Sequence, residues 1–294
     1  MEQFKKALFV LNPVSVGKRN KNISEKIKSI IGEKINHKII IWENAKHDIG
    51  SIVKAEMNKE NYDLIVAVGG DGTANEIASV LTNTNVTFAL IPSGSGNGLA
   101  RHLKIPMKPD DALHLLLNGK VKNIDTCYIN EHPFFCTSGI GFDAHIGKLF
   151  VNSVERGFNS YLKIVINEVF NYKPKLYELE IDGNKISVKA FLITFANANQ
   201  YGNNAVIAPE ADIQDGIIEV TVIKPFNVFQ AIIMAVRLFA RNINKSCCVE
   251  TYKAKNIKLF SVENNVIHFD GEQGEISGNL ELKNHKQSLR VLVK

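Results

Sequence analysis

Cysteine, proline and tryptophan are scarce in this 294-residue chain, with four, eight and one copies respectively. The cysteines, Cys127, Cys136, Cys247 and Cys248, form no CxxC pair, and adjacent cysteines rarely bridge. Structural zinc and a disulfide-stapled secreted fold are therefore not expected; reduced thiols in a cytosolic protein are. No apolar stretch approaches about 20 residues, so no membrane-spanning helix is predicted. Met1–Val10 carries two lysines and a short apolar run that stops at Asn12-Pro13 without a small-residue cleavage site. That is a first buried strand rather than a signal peptide. Charge of one sign is not concentrated either. The net charge is +5, the pI is about 8.8, and the lysines are spread along the chain, so no nucleic-acid partner is expected. Mild basicity suits an anionic membrane or a polyphosphate, and equally a plain solvated surface. There is no G-x-x-x-x-G-K-[ST], no G-x-G-x-x-G after the first strand and no protein-kinase catalytic string, which argues against P-loop enzymes, Rossmann dehydrogenases and protein kinases. Internal repeats and low-complexity segments are lacking too.

What remains is globular composition, 45% hydrophobic and 22% charged, long enough for one large or two medium domains. The first part alternates apolar strands (residues 6–11, 38–42, 62–68 and 86–91) with helical periodicity (21–31, 49–57, 73–81 and 110–117). Such alternation predicts an α/β domain, a parallel sheet with helices on its faces. Near Ile124 the character changes to short strands and turns, including a hairpin signal at Asp182-Gly183-Asn184. The expected organisation is an α/β nucleotide domain over residues 1–125 and a β-rich sandwich or barrel over 126–294. A return of the last strand to the first domain is allowed for, and no flexible linker intervenes, so a cleft is expected. Two helices, 151–170 and 228–240, interrupt the second half. Their apolar residues beside Lys148, Arg156, Lys163, Arg237 and Arg241 fit a lipid-chain groove with a cationic rim. Ordinary amphipathic packing is the expectation for most of these positions. His102, His145 and His268 show no ligand spacing and are expected to be surface or satisfied core residues.

Three turns carry chemistry. Gly69-Gly70-Asp71-Gly72-Thr73-Ala74-Asn75-Glu76 lies between a buried strand and a helix, where an open α/β sheet binds ligands. Glycines let backbone approach a phosphate, and the amides at the helix start form an anion site. Asp71 then has a place near a phosphate-bound Mg²⁺, and Thr73 can donate. The plainer alternative is a tight turn with Asp or Thr as N-cap. A second turn, Ser93-Gly94-Ser95-Gly96-Asn97-Gly98, offers Ser95 and Asn97 to phosphate or ribose. A third, Asn12-Pro13-Val14-Ser15-Val16-Gly17-Lys18, follows the first strand. Late in the chain, Asp270-Gly271-Glu272 reads in isolation as a hairpin turn.

Together, the string through Glu76, Gly94–Arg101 (GSGNGLAR) and Phe269–Glu272 (FDGE) resemble the diacylglycerol/sphingosine kinase family, especially YegS-like bacterial lipid kinases. Gly139–Asp143 and Ala208–Ala211 with Asp215-Gly216 fit the same pattern. The resemblance implies a phosphofructokinase/NAD-kinase-like first domain, a β-rich second domain, and transfer from Mg-ATP to a lipid hydroxyl such as that of diacylglycerol, phosphatidylglycerol or a sphingoid base. It implies that Asn12, Pro13, Val14, Ser15, Val16, Gly69, Gly70, Asp71, Gly72, Thr73, Asn75, Glu76, Ser95, Gly96 and Asn97 hold ATP. Asp270 or Glu272 is implied as general base, with Asp270 favoured and Asp71 assisting catalysis. A structural Mg²⁺ is implied at Asp215 with the carbonyls of Asp212 and Ile217, and Asp125 in its water network. Val16 stands where the family has Gly, Trp42-Glu43 where it commonly has Thr, and Gly98 where many bacterial members have Asp; the last removes a carboxylate from that network. The implied protein is cytoplasmic, peripheral to the inner membrane face, meets its lipid there, and can be a homodimer. Two alternatives stand beside this: an NAD kinase, which shares GGDGT, and a non-catalytic nucleotide- or lipid-binding regulator.

Overall fold

A computed structural model describes residues 3–12, 22–42, 48–151 and 158–294. Two compact units emerge: Met1–Ile124 with Gln287–Lys294, and Asp125–Lys286.

In the first unit, strands β1 (Lys6–Leu11), β2 (Asn36–Ile41), β3 (Leu64–Gly69) and β4 (Thr87–Pro92) pair in parallel in the order β2-β1-β3-β4. β3 and β4 are buried at every residue, as continuous apolar runs covered on both faces must be. Helices α1 (Ile23–Ile30), α2 (Ile49–Lys59), α3 (Asp71–Leu81), α4 (Gly98–His102) and α5 (Pro109–Asn118) follow in chain order. Ile23, Ile27 and Ile31, one turn apart, join Leu113 and Leu116 of α5 against Phe9, Leu11, Val66 and Val68 on one sheet face. α3 packs on β3 and β4, and α2 packs on α3. β2 and β3 lie on opposite sides of β1. The carboxyl ends of β1 and β3 therefore flank a topological switch point, the position where open sheets accept ligands.

The second unit is a main antiparallel sheet and a separate two-stranded one. Its strands are β5 (Lys120–Ile129, which begins in the first unit), β6 (His132–Phe134), β7 (Thr137–Gly141), β8 (Lys175–Ile181), β9 (Asn184–Ala190), β10 (Leu192–Ala196), the short β11 (Gln200–Gly202) and β12 (Ala205–Val206), β13 (Ile218–Ile223), β14 (Val249–Ala254), β15 (Asn256–Phe269) and β16 (Glu272–Val293). The main order is β14-β13-β10-β7-β15-β16. β15 pairs with β8 through its first residues and with β7 through its last, with register shifts between. β16 continues into the first unit, where Val291 pairs in parallel with Phe88. Strand alternation sends Ile193 and Phe195 to one core and Leu192 and Ala196 to another. The second core is covered by α6 (Phe142–Val151), α7 (Phe158–Glu168) and α8 (Val228–Phe239).

Several elements differ from the sequence expectation. α6 begins directly after β7, where no helix was expected, and the helix expected over 151–170 is α7 from Phe158. β15 is a single strand of 14 residues where short strands were expected, and β14 lacks a legible signal. α8 departs most: Met234 is buried, but Val228, Phe229, Ile232, Ile233, Val236 and Phe239 are each more than half exposed. Packing on the unit's own core does not account for them.

Glu219 on β13 is 2% exposed, and burial, with Glu210 adding to it, pushes its carboxyl from 4.5 up to about 7. The fold keeps a proton that the unfolded chain releases. The contribution of Glu219 to stability therefore falls as pH rises from about 4.5 to about 7 and is level outside that window. Glu219→Gln should stabilise the protein above pH 7 by on the order of 2–3 kcal/mol and flatten the urea midpoint across the window. An unchanged slope would exclude Glu219 as its source.

Candidate active site

Within the first unit, two glycine-rich turns end the adjacent strands β3 and β4, beside the carboxyl end of β1. Asn12 follows β1, its backbone N–H donating to the Val68 carbonyl at 3.1 Å. Its side-chain Nδ2 donates to Thr73 Oγ1 at 2.9 Å. Thr73 is buried beneath the Gly69 turn, so its hydroxyl braces the turn against β1. Asp71 opens α3, and its carboxylate ties the two glycine-rich turns together. Oδ2 accepts from Asn97 N at 2.8 Å and Oδ1 from Gly98 N at 2.7 Å. Ser93 N donates to the Gly69 carbonyl at 2.8 Å, so the turns meet by backbone as well. They approach so closely that a Cβ on Gly94 would lie 2.6 Å from Gly70 Cα; only glycine fits there. Asn97, in the left-handed region, spends its side chain on its own turn: Oδ1 accepts from Gly94 N and Nδ2 donates to Gly94 O.

The expected nucleotide residues thus divide. Asn12, Gly69, Gly70, Asp71, Gly72, Thr73, Ser95, Gly96 and Asn97 are brought together at the sheet's carboxyl edge, with Ser95 exposed. Thr73 and Asn97 shape the turns rather than project from them. Asn75 accepts from Ser79, and Glu76 Oε2 accepts from Ile49 N at 3.2 Å, at the start of α2. Pro13, Val14, Ser15, Val16, Gly17, Lys18 and Glu43 lie outside the described residues, as does Arg156. The turn chemistry that remains is backbone. The first N–H groups of α3 have no intrahelical acceptor and carry the positive end of the helix dipole, a site for an anion.

Within the second unit, Asp270-Gly271 is a two-residue hairpin between β15 and β16, both residues at positive φ as a type I′ turn requires. It is also more than a turn. Asp270 Oδ1 accepts from Cys136 N at 2.7 Å and Thr137 N at 2.9 Å, and Oδ2 from Phe135 N at 2.9 Å. Three converging N–H groups hold a carboxylate. Glu272, two residues on, is exposed.

Asn197, not anticipated from sequence, secures the gripping segment. It is fully buried, and its Nδ2 donates to the carbonyls of Phe135 at 2.9 Å and Asp125 at 3.0 Å. Asp125 is also fully buried, and its Oδ2 accepts from Gly216 N at 2.6 Å. Burial first, then the charges of Asp125, Asp270 and Asp215, pushes the Cys127 thiol well above its usual range. These carboxylates therefore share one neighbourhood in this unit.

In a second polar cluster, His268 is a partnered core residue, one of the two outcomes expected for it. His268 is buried, and its Nε2 lies 3.2 Å from Asp143 Oδ2. Tyr201 OH and Thr194 Oγ1 donate to the same oxygen, at 3.0 and 3.3 Å, while Ala144 N donates to Oδ1. Gly139 is required beneath it, since a Cβ there would lie 2.4 Å from that oxygen. The cluster braces β15 just before Asp270. The Gly139–Asp143 string was its one sequence trace.

The diacylglycerol kinase catalytic domain model matches residues 6–129, and the YegS C-terminal NAD kinase β-sandwich-like domain model matches residues 137–293. The chain belongs to the diacylglycerol-kinase family of lipid kinases. A diacylglycerol kinase of Bacillus subtilis is 26% identical over 92% of this chain and 90% of its own length. An uncharacterised protein of Synechocystis is 25% identical over 91% of this chain, which spans 62% of that relative. A solved structure from Bacillus anthracis, 22% identical, shares the fold with a TM-score of 0.82 over 100% of this chain and 99% of that one. The kinase-family pattern implies a structural Mg²⁺ at Asp215 with the carbonyls of Asp212 and Ile217, a set with one carboxylate, and here the Asp212 and Asp215 side chains each accept within their own loop. Asp215 Oδ1 accepts from Ile217 N and Asp212 Oδ1 from Gln214 N, at 2.8 and 3.0 Å, so the loop binds its own backbone. Among the described residues, no three His, Cys, Asp or Glu side chains gather as a metal would need.

Proposed function

We propose that this family member transfers the γ-phosphoryl group of ATP to a hydroxyl of a membrane lipid. Diacylglycerol, phosphatidylglycerol and sphingoid bases are the acceptor candidates. The observation that carries the reading is the Gly69–Thr73 turn opening α3 at the switch point, tied by Asp71 to the Gly94–Gly98 turn. Backbone amides there hold phosphate, as the positive end of a helix does. The nucleotide would bring its own Mg²⁺, which would neutralise charge on the phosphates during transfer. In the transfer, the lipid hydroxyl oxygen bonds to the γ-phosphorus as the bond to the bridging oxygen breaks. ADP leaves, and the hydroxyl proton passes to Asp270 or Glu272. Work at the cytoplasmic membrane face follows from an acceptor that does not leave the bilayer.

Incubation with γ-labelled ATP, Mg²⁺ and a panel of lipids plus NAD⁺ tests this. Label on a lipid is expected. Label on NAD⁺ alone would establish the NAD-kinase alternative, and ATP binding without transfer to any acceptor would leave a regulator.

A further inference from the structure

The least expected surface lies on α8. Its sequence from Val228 to Phe239 contains no carboxylate, and none occurs from Pro225 to Val249. At 100° per residue, Val228, Phe229, Ile232, Ile233, Val236 and Phe239 fall within an arc of about 140°. They are 51–78% exposed, while Met234 and Leu238, on the other side, meet the core. The face is not a frayed end. A reciprocal capping box between Asn227 and Gln230 closes the start, and Asn242 N donates back to the Arg237 carbonyl at 3.0 Å at the finish. α7 packs on the same core and leaves Leu162 and Ile166 exposed, with Phe170 just past its end. Cations surround α8: Arg237 on its flank, Arg241 and Lys245 exposed beyond it. The carboxylates near α8 are already engaged, Glu250 with Lys224 at 2.7 Å and Glu210 with Lys253 at 3.1 Å.

We propose that the exposed face of α8 docks on an anionic lipid bilayer. An apolar helix face with a cationic border and no acid is what an interfacial helix presents to such a surface. A contiguous patch of this kind on a soluble protein marks a docking surface. A second copy fits less well: pairing α8 with itself would set Arg237 and Arg241 against a helix that offers no carboxylate. Among the described residues, no helix is long and apolar enough to cross a membrane, so α8 lies on the bilayer rather than through it.

The docking surface deepens the lipid-kinase reading, but its test needs no catalysis. Flotation is measured without ATP on phosphatidylcholine vesicles with and without phosphatidylserine, neither lipid offering a hydroxyl acceptor. The protein is expected to float with the phosphatidylserine vesicles, more weakly as salt rises. The Ile232→Asp/Val236→Asp double variant should partition roughly tenfold less or worse, and Arg241→Glu/Lys245→Glu should lose the salt dependence. Both pairs of residues project away from the core, so melting temperatures should match. Turnover on a detergent-dispersed acceptor should stay unchanged. Equal flotation of the Ile232→Asp/Val236→Asp variant overturns the proposal. So does a concentration-dependent dimer that this variant renders monomeric, because the partner is then a second copy. Vesicle binding with no transfer to any lipid would sink the kinase reading and leave the docking surface standing; transfer without binding does the reverse.

Discussion

Glu272→Gln is expected to lower phosphoryl transfer by roughly 10²–10⁴-fold and leave the melting temperature unchanged, whereas Asp270→Asn is expected to lower both. The contrast comes from their surroundings. Glu272 is exposed at the start of β16, so its replacement costs the fold little. Asp270 receives N–H donors from Phe135, Cys136 and Thr137. An Asn there keeps one acceptor oxygen and turns an amide N–H₂ toward a donor. Hydrogen bonds to a charged group contribute about 1.5–3 kcal/mol each, so a loss near 3 kcal/mol is expected. In a unit of this size that is a fall of roughly 5–10 °C. Steady-state kinetics and thermal melting of the two variants decide the roles. If Glu272→Gln keeps full turnover and Asp270→Asn loses it, Asp270 is the base. If both keep it, neither carboxylate takes the proton and the assignment fails.

The second large effect is expected at Asp71. Asp71→Ala removes the acceptor of Asn97 N and Gly98 N and a negative charge from the start of α3. Two donors lose their acceptor, at about 1–3 kcal/mol each, and the helix-end charge adds about 0.3–1. The turn around Gly94 and Asn97 then loses its tether. ATP affinity should fall by more than tenfold, a change of at least about 1.4 kcal/mol, and turnover should fall with it. Asp71→Asn should restore little, since one amide oxygen replaces two carboxylate oxygens. Titration calorimetry with a non-hydrolysable ATP analogue reads this directly; undiminished affinity in Asp71→Ala would show that the tie between the turns is not what holds the nucleotide. The sequence suggested an Asp71 that faces a phosphate-bound Mg²⁺. Its two backbone bonds predict a cost in stability as well.

The parallel strands were legible because a strand covered on both faces must be apolar along most of its length, as 64–68 and 88–91 are. The glycine turns were legible because close backbone approach excludes a side chain, and Gly94 against Gly70 is such a case. β14 and the length of β15 were not. Half-exposed strands carry charged residues at alternate positions, and a bent strand interrupts its own pattern. The hairpin at Asp270-Gly271 was visible as a turn, but its grip on residues 135–137 was not. That grip joins positions more than 130 apart in the chain, and no local spacing encodes it. The same holds for Asn197 beneath Phe135, and for Asp143 with His268.

By itself, then, the sequence determined which segments must be buried and where backbone must come close to a phosphate, since both are demands on residue type. What each polar side chain grips, and which apolar faces stay uncovered, only the tertiary structure decided. Periodicity places Ile232 and Val236 on one stripe of α8 and Met234 and Leu238 on another. Which stripe finds a core depends on what the sheet brings beneath it, and the sheet's packing turned the larger stripe outward.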